Sequence, residues 1–349
     1  MNKIKAAIIG ATGYVGQELF RILYSHPMVE VTKVTSVSYI GKNYSDVYQN
    51  FNKLTDLTCS EDDTEKIAEE CDVMFIALPH GIASKKITKN ILEKCKVIDI
   101  GADFRIKDKE TYEKWYGVEH FGEDVLKEAV YGLCEIHAEE IKKARLVANP
   151  GCYTTCSILS LYPLVKEGLI DLNSIVIDAK SGVTGAGRKP DLGTSYCECN
   201  ESIKAYKVAS HRHTPEIEQE LSIAAGRNIN LIFTPHLTPM NRGILATCYA
   251  KLNNKTDYET LKNAYLKYYG DKHFVRLLKQ GLFPETNKVK GSEYIDIGFT
   301  TDNRTNSVIT IGAIDNLVKG AAGQAVQNMN LMFGFDEYTA LNYAGMFPA

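Results

Sequence analysis

The chain has 349 residues, 44% of them hydrophobic and 24% charged, which is typical of a globular protein with two domains. Its formal net charge of −3 argues against nucleic-acid binding, because proteins that bind the phosphate backbone carry a basic excess. No apolar segment approaches the roughly 18 residues of a membrane-spanning helix. The nine cysteines have no framework spacing and indicate a reducing compartment, so a cytoplasmic location is predicted.

The first half of the chain alternates short apolar runs with amphipathic stretches. Five apolar runs have the length of buried strands: residues 5–9, 31–35, 73–78, 96–100 and 146–148. The first amphipathic stretch covers residues 16–24. Strands that alternate with helices predict an α/β domain with a doubly wound parallel sheet of the Rossmann type.

The second half has longer strand candidates joined by longer connections. Strands are predicted at residues 175–179, 231–234, 244–251 and 308–311, with helices at 215–225 and 258–269. This pattern predicts a mixed or antiparallel sheet and therefore a second domain of the α+β class.

The last apolar segment predicts a long helix over residues 314–332. Four residues at helical spacing form one apolar stripe on it: Val318, Ala322, Val326 and Met329. We expect this helix to return to the first domain. The predicted division is a first domain at residues 1–149, completed by 314–349, and a second domain at 150–313.

A glycine-rich turn follows the first predicted strand and opens the first predicted helix. Glycines in such a turn let the chain bend tightly, let a pyrophosphate approach the backbone and let the helix pack on the strand. The helix N-terminus then presents N–H groups to the phosphates. The spacing is GxxGxxG instead of GxGxxG, and a tight turn alone would also use glycine. The strand–turn–helix order nevertheless favours a dinucleotide site, which would comprise Gly10, Thr12, Gly13, Tyr14, Val15 and Gly16.

The end of the second predicted strand carries hydroxyl groups instead of a carboxylate. Sites that prefer NAD usually place Asp or Glu there to bind the ribose 2′-hydroxyl. Ser36 and Ser38, with Lys42 nearby, suit the 2′-phosphate of NADP(H) better; the alternative is a solvated loop. Leu78 and His80 follow the third predicted strand, at the edge where such sheets bind ligands, so we predict a cofactor loop there.

Cys152 lies between an apolar strand and an apolar helix, in the block ANPGCYTTC. A cysteine at a helix N-terminus gains thiolate character from the free N–H groups, and thiolates form thioesters readily. Most cysteines are small core residues, and this interpretation is kept for Cys59, Cys71, Cys95, Cys134, Cys156 and Cys248. Cys152 is therefore the predicted nucleophile.

Two histidines precede the helix that begins near Thr214. His211 and His213 are two residues apart in an extended approach, so both rings can enter one pocket. An imidazole can act as acid and base near neutral pH, and Glu216 can orient it. The alternative is a pair of surface histidines beside a helix that Thr214 caps. A zinc site with the Cys-Glu-Cys segment at 197–199 does not fit the usual ligand spacing, so no metal is predicted.

Eight blocks, spread from the first strand to the last helix, resemble the N-acetyl-γ-glutamyl-phosphate reductases of arginine biosynthesis. They read GATGYVG, ALPHG, GADFR, ANPGCYTT, SGVTGAGRK, HRHTPEIEQ, FTPHLTPMNRGIL and IDNLVKGAAGQAVQNMN. The wider relationship is to the aspartate-semialdehyde dehydrogenases. The resemblance implies a second domain of the glyceraldehyde-phosphate-dehydrogenase-like type that serves catalysis and dimerisation, and a homo-oligomer, either dimer or tetramer.

The resemblance also implies an oxidoreductase that uses NADPH to reduce N-acetyl-γ-glutamyl phosphate to N-acetylglutamate 5-semialdehyde and phosphate. Cys152 would expel the phosphate and hold the acyl group as a thioester. His213 or His211 would transfer protons. Arg105 and Asn149 would bind the phosphate group.

Further residues are assigned by the same resemblance. Four would form a loop against the ligands: Ser181 and Gly182 at the substrate, and Gly185 and Gly187 at the nicotinamide. Asn316 would bind the nicotinamide amide. The family block has proline where this chain has Thr154, and threonine can also occupy a first helical turn.

Other functions are compatible with parts of this pattern. A non-catalytic dinucleotide sensor would keep the glycine-rich turn but would need neither Cys152 nor Arg105. A relative from lysine biosynthesis would reduce an aminoadipyl phosphate on a small acidic carrier protein, for which a basic rim is expected. An aspartate-semialdehyde dehydrogenase-like enzyme would use the same overall plan.

Overall fold

The structure, a computed structural model, describes residues 3–348. It divides into two units. The first unit comprises the chain up to Pro150 together with Ala321–Asn342, and the second comprises Gly151–Gly320 together with the last segment of the chain. The predicted division differs because it assigns residues 314–320 and that last segment to the first domain.

The first unit contains a parallel sheet that is buried on both faces. Its strands are β1 Ile4–Ile9, β2 Val29–Thr35, β3 Cys59–Ser60, β4 Val73–Ile76, β5 Lys96–Asp99, β6 Ala129–Tyr131 and β7 Leu146–Ala148. Their order is β3-β2-β1-β4-β5-β7-β6, and neighbouring strands are parallel. All four residues of β4 are buried, as expected for a central strand covered on both sides. The predicted doubly wound sheet is confirmed; β3 and β6 are additions too short to give a periodic signal.

Helices cover this sheet and connect its strands. They are α1 Tyr14–Tyr24, α2 Tyr44–Val47, α3 Thr64–Glu70, α4 Ala83–Lys86, α5 Lys89–Lys94, α6 Lys109–Tyr116, α7 Glu123–Leu126 and α8 Cys134–Ile141. Strand β1 lies between β2 and β4. The chain adds β2 and β3 on one side of β1 and then returns to add β4 and the later strands on the other side, so the strand order reverses at β1. Open α/β sheets bind ligands at such a reversal of strand order. The glycine-rich turn between β1 and α1 lies there.

The second unit contains a mixed sheet. Its strands are β8 Val176–Ser181, β9 Lys204–Ala205, β10 Ile232–Leu237, β11 Ile244–Lys251, β12 Val275–Leu277, β13 Ile295–Asp302 and β14 Ser307–Ile314. Their order is β12-β13-β14-β11-β8-β10-β9. The pairs β8–β10 and β12–β13 are parallel and the others antiparallel, which confirms the predicted α+β class. Strand β13, which forms a hairpin with β14, was not predicted.

The second unit also contains helices, the longest of which packs on this sheet. They are α9 Cys152–Lys166, α10 Tyr196–Cys199, α11 Thr214–Ala225, α12 Tyr258–Tyr269 and α13 Thr286–Val289. The helix α9 packs on β11 and β14 and contacts α11 and α12. It is buried along most of its length, so its first residue, Cys152, is held by a rigid element. No helix in the described part of the chain is long and apolar enough to cross a membrane.

The helix predicted at residues 314–332 begins later in the structure than predicted. Strand β14 continues through Ile314, which pairs with Ile244 of β11, and a π-helix at Val318–Ala322 precedes α14 Gly323–Met332. An apolar run is compatible with strand or helix, and here pairing with β11 and β13 decides. Within the first unit α14 packs on α1 and α8, and it is buried all round instead of along one stripe.

Candidate active site

The glycine-rich turn of the first unit has two glycines that the fold requires and one that it does not. Gly10 has φ +83°, and a Cβ there would lie 2.5 Å from the Ala77 carbonyl oxygen. A Cβ on Gly16 would lie 2.6 Å from Ala11 Cα. A Cβ on Gly13 would meet nothing nearer than the Gly10 oxygen at 3.7 Å. The space beside Gly13, at the N-terminus of α1, therefore fits a pyrophosphate that approaches the backbone.

Hydroxyl groups hold this turn in place. The Thr12 and Ser36 hydroxyls lie 2.8 Å apart. Tyr44 donates to the Ala11 carbonyl at 3.0 Å and Tyr48 to the Thr12 carbonyl at 2.9 Å. Ser36 is buried in this network, whereas Ser38 is exposed. The structure thus brings Ser36, but not Ser38, into contact with the turn.

The predicted cofactor loop follows β4. Leu78 contacts the glycine-rich turn, with its Cδ2 3.2 Å from the position a Gly10 Cβ would take. His80 is half-buried, and its ring lies 5.6 Å from that of Tyr116. The next residue, Gly81, donates its N–H to the buried carboxylate of Asp103 at 2.7 Å. The loop that carries Leu78 and His80 is therefore anchored at both ends.

Arg105 and Asn149 lie together in the first unit. Arg105 is buried and donates Nε to the Asn149 carbonyl at 2.7 Å and Nη2 to the Ile100 carbonyl at 2.8 Å. The Asn149 amide oxygen accepts from Asn328 at 3.0 Å. Burial, with the charge of Asp103 second, raises the pKa of the nearby Asp99 to about 7. These contacts orient the guanidinium at the end of β7, three residues before Cys152 in the chain.

In the second unit, Cys152 is the first residue of α9. Gly151 caps the helix in an extended conformation without a side-chain cap, and the positive end of the α9 dipole lies beside the thiol. Cys152 is partly exposed. Cys156, one turn further, is fully buried, and burial raises the pKa of its thiol to about 12. Cys156 is thus inert as a nucleophile near neutral pH.

The remaining predicted core cysteines are also in the positions expected of them. Cys59, Cys71, Cys95, Cys134 and Cys248 are buried. No disulfide joins the nine cysteines, all of which lie within the described residues. Over the same part of the chain, no group of three or more His, Cys, Asp or Glu side chains could hold a metal ion.

Glu216 connects the nucleophile helix to the histidine segment. Its Oε1 accepts the Gly151 N–H at 2.9 Å and lies 2.9 Å from the Thr154 hydroxyl. The same hydroxyl lies 2.5 Å from the Gly151 carbonyl, and its single proton serves one acceptor at a time. Glu216 thus holds the first turn of α9, a contact that the sequence did not predict. Threonine in the position of the family's proline contributes directly to it.

The two histidines share one pocket with Tyr153. The His211 and His213 rings lie 4.7 Å apart, and the Tyr153 ring lies 5.6 Å from the first and 5.9 Å from the second. Tyr153 directly follows Cys152, so both imidazoles lie beside the start of α9. One local prediction is wrong: α11 begins at Thr214, so His213 and not Thr214 occupies the N-cap position.

Hydrogen bonds fix the tautomer of His211. Its Nδ1 accepts the His213 backbone N–H at 3.1 Å, so the proton of the neutral ring is on Nε2. Nε2 lies 3.5 Å from the Tyr206 hydroxyl, which donates to Tyr153 Oη at 3.2 Å. Tyr153 in turn donates to the His236 carbonyl at 3.2 Å. The chain of donors ends on a backbone acceptor.

The pKa shifts agree with this hydrogen-bond chain. Burial, with the charge of His213 second, lowers the pKa of His211 to about 2. Burial raises the pKa of Tyr206 to about 12 and also raises that of Tyr153. His211 and both tyrosines are therefore neutral near pH 7. The tyrosines were missed by sequence reasoning, because a tyrosine near a histidine has no recognisable spacing.

The glycine-rich loop of the second unit lies beside Asn316. A Cβ on Gly182 would lie 2.6 Å from the Asn241 carbonyl, so this glycine is needed for close packing. Asn316 accepts the Gly243 N–H at 2.8 Å and donates to the Thr184 hydroxyl at 3.0 Å. Gly185 and Ser181 of this loop also lie near Asn316. A Cβ on Gly185 would be 3.8 Å from both the Ser181 hydroxyl and the Asn316 amide nitrogen. Gly187 has φ +87° and open space around it.

Comparison with known proteins identifies the family. Residues 5–144 match the model "Semialdehyde dehydrogenase, NAD binding domain" and residues 152–316 match "Semialdehyde dehydrogenase, dimerisation domain". The chain is 56% identical to the N-acetyl-gamma-glutamyl-phosphate reductase of Lachnoclostridium phytofermentans, over 99% of this chain and 100% of the relative. It is 54% identical to that of Campylobacter jejuni subsp. jejuni, over 98% of each chain.

Solved structures show the same fold. Aspartate semialdehyde dehydrogenase II from Vibrio cholerae matches with a TM-score of 0.73 and 17% identity, covering 96% of this chain and 99% of that one. The aspartate semialdehyde dehydrogenase with NADP from Candida albicans matches with a TM-score of 0.71 and 18% identity, covering 95% and 99%. The first unit thus contains the residues that match the NAD binding domain, and the second contains those that match the dimerisation domain. Together with the full-length relatives, these matches show that the chain belongs to the N-acetyl-γ-glutamyl-phosphate reductase family of oxidoreductases.

Proposed function

We propose that this protein reduces N-acetyl-γ-glutamyl phosphate to N-acetylglutamate 5-semialdehyde and phosphate, with NADPH as the reductant, in arginine biosynthesis. The observation that carries this proposal is the partly exposed Cys152 at the N-terminus of a rigid helix, in a chain whose full-length relatives bear the reductase name. A cytoplasmic location stays a prediction, based on the cysteines.

Cys152 would act as the nucleophile. Its Sγ attacks the γ-acyl carbon, the new S–C bond forms, and the C–O bond to phosphate breaks. The helix N–H groups favour the thiolate that this step needs. A thioester accepts hydride, whereas a carboxylate does not, so the covalent intermediate explains why a cysteine is used. When the S–C bond breaks after reduction, the semialdehyde leaves and the thiolate is restored.

His213 is the better candidate for acid–base catalysis. The Nδ1 of His211 accepts a backbone N–H and its Nε2 faces Tyr206, so both nitrogens are engaged, and the low pKa keeps the ring neutral. The His213 ring is half-buried and lies beside Tyr153. His211 would position His213 through the backbone contact, and Glu216 would hold the first turn of α9.

The dinucleotide would be held by the glycine-rich turn and by the loops that follow β2 and β4. Gly13 offers space for the pyrophosphate, and Ser36, whose hydroxyl lies 2.8 Å from that of Thr12, would face the ribose. When bound, NADPH supplies the hydride that reduces the thioester. Asn316 would orient the nicotinamide amide, and its contacts with Gly243 and Thr184 would keep its amide group in one orientation.

The absence of a carboxylate at the end of β2 leads to a prediction on cofactor choice. We expect the native protein to use NADPH in preference to NADH. Ser36→Asp should reduce that preference by roughly ten- to a hundredfold, because a carboxylate repels the 2′-phosphate. Steady-state kinetics with both cofactors would measure it, and Ser38→Asp would show how much the second, exposed hydroxyl predicted at this position contributes. Equal use of both cofactors by the native protein would contradict the proposal.

Arg105 would bind the departing phosphate. Its two carbonyl contacts fix the plane of the guanidinium, and a guanidinium has five N–H donors in all. Asn149, whose carbonyl accepts one of them, would border the same subsite. The family resemblance assigns Ser181 and Gly182 to the binding of the substrate.

Arg105→Lys tests this role because it keeps the charge but loses the planar fork. In the aldehyde-oxidising direction, KM for phosphate should rise about ten- to a hundredfold, since hydrogen bonds to charged groups contribute ~1.5–3 kcal/mol. NADP affinity should stay nearly unchanged. Arg145→Lys is the control, because Arg145 also donates Nε to a carbonyl, that of Leu92, at 2.6 Å. A loss confined to cofactor binding would show that Arg105 serves the dinucleotide instead.

A homo-oligomer would form through the second unit. The face of its sheet opposite α9 carries Ile232 and Tyr249, which are 61% and 40% exposed. Exposed apolar side chains on an open sheet face are suited to an isologous dimer contact. A dimer, or a tetramer built from two dimers, would cover them.

The substrate is tested most simply in the reverse direction. The protein should reduce NADP in a phosphate-dependent reaction with N-acetylglutamate 5-semialdehyde. Aspartate semialdehyde and the aminoadipate semialdehyde should react far more slowly. A preference for either rival would assign the chain to that substrate, and no turnover with any of them would support a dinucleotide sensor.

A further inference from the structure

A π-helical turn lies directly against the proposed nucleophile. We name residues 315–320 the π-turn. The Gly320 N–H donates to the Asp315 carbonyl at 2.9 Å, five residues earlier, and residues Val318–Ala322 are π-helical. Such turns are rare and occur frequently at functional sites, because the extra residue changes which atoms face the neighbouring element.

The contact is made by Gly320. A Cβ on this residue would lie 2.7 Å from Cys152 Cβ, closer than Cβ atoms approach other atoms in proteins, and 3.1 Å from Cys152 Cα, which is tighter than most Cβ contacts. Gly320 does not have a positive φ, so its backbone conformation does not require glycine. The requirement comes from Cys152, and any side chain at position 320 has to displace the nucleophile or the turn.

Two buried acidic groups tie the π-turn to the segment 291–293. Lys319 and Glu293 form an ion pair at 3.3 Å with both side chains fully buried. Asp315, also fully buried, accepts the Leu317 N–H at 2.8 Å through one oxygen and the Gly291 N–H at 2.7 Å through the other. The turn is thus fixed from its first residue to the one before Gly320.

Stability alone gives no reason for this ion pair. Burying two charges costs desolvation that their attraction roughly offsets, so a well-packed apolar pair is often as stable. What a buried pair does provide is a defined geometry, because neither charge can move without losing its partner. The geometry fixed here is that of the surface in contact with Cys152.

We propose that Lys319, Glu293 and Asp315 are positioning residues that hold the π-turn against the first turn of α9 and so fix how Cys152 presents its thiol. The proposal rests on the role of Cys152 as nucleophile. It adds a buried lysine and two buried carboxylates, none of which needs to touch substrate or cofactor, to the residues on which turnover depends.

Gly320→Ala is the first test. The added methyl group should displace Cys152 and lower kcat on the order of a hundredfold, as misplacing a reacting group by about 1 Å does. It should also change the pH-dependent rate at which iodoacetamide alkylates Cys152, followed at that residue by mass spectrometry. NADP affinity should be unchanged.

Gly298→Ala is the matched control. A Cβ there would be equally crowded, 2.7 Å from the Leu282 carbonyl oxygen and 3.1 Å from Pro284 Cδ, but it does not meet Cys152. This variant should melt at a lower temperature while its Cys152 alkylation profile and kcat stay close to those of the native protein. An ordinary packing effect would make the two variants alike.

The ion pair is tested by removing one charge and then both. Lys319→Met should lower kcat and alter the alkylation profile, and Lys319→Met combined with Glu293→Met should recover part of both losses, because no buried charge is left without its partner. The proposal is overturned if Gly320→Ala and the Lys319 variants alter melting temperature alone. If Cys152→Ser keeps turnover while the alkylation effects remain, the proposed function fails and the positioning of this thiol still stands.

Discussion

Cys152→Ser is expected to reduce kcat by roughly a thousandfold or more while NADP binding and the fold are retained. A serine hydroxyl has no thiolate counterpart near neutral pH, and the ester it would form accepts hydride less readily than a thioester. Cys152 is only partly buried, so the small change from sulfur to oxygen should cost little stability. Steady-state kinetics, cofactor titration and the melting temperature would measure the three quantities.

Cys156→Ser is the matched control for that prediction. Cys156 lies one turn further along the same helix, fully buried, with a thiol pKa of about 12. Serine there places a hydroxyl in the core, which costs about 1–3 kcal/mol of stability if it lacks a partner. Turnover should persist. Loss of turnover in this variant alone would overturn the assignment of the nucleophile.

His213→Asn is expected to lower kcat by about a hundred- to ten-thousandfold, the usual contribution of a general acid–base group. The limb of the pH–rate profile that reports the general acid–base group should disappear with it. His211→Asn should leave that limb in place, since the native pKa of His211 is about 2, far below the pH of turnover. Asparagine can also accept the His213 N–H that His211 Nδ1 now accepts. A flattened profile in the His211 variant would reverse the two assignments.

His211 also gives the stability of the protein a defined pH dependence. Its pKa is about 2 in the folded protein and about 6.5 in an unfolded chain. Between these values only the unfolded state binds the proton, so stability falls as the pH drops below about 6.5. His211→Asn should remove part of this acid sensitivity, which urea denaturation at several pH values would measure.

Most of the first unit could be predicted because its elements are signalled locally. Short apolar runs define β1 and β4, and the strand–turn–helix order identifies the dinucleotide turn. The helix predicted over residues 314–332 begins later than predicted, because Ile314 ends β14 and the run Val308–Ile314 is apolar whichever element it forms. Only its pairing with the neighbouring β13 and with β11, which is distant in sequence, makes it a strand.

In the candidate site, too, the residues signalled by a local pattern could be predicted and the contacts made only after folding could not. Cys152 could be predicted because a cysteine before an apolar helix is a local pattern, and the histidine pair is another. The contacts that distinguish His211 from His213 could not, since Tyr206 and Tyr153 reach His211 only after folding. Glu216 was predicted to orient an imidazole, whereas its carboxylate holds Gly151, a contact across 65 residues that no spacing rule covers.

The covalent role of Cys152 is tested most directly without any cofactor. Protein mixed with N-acetyl-γ-glutamyl phosphate in the absence of NADPH should release phosphate in a burst that matches the concentration of active sites. Mass spectrometry of the quenched protein should then find an N-acetylglutamyl group on Cys152 that hydroxylamine removes. No burst in the native protein, or an acyl group on any other residue, would contradict the account.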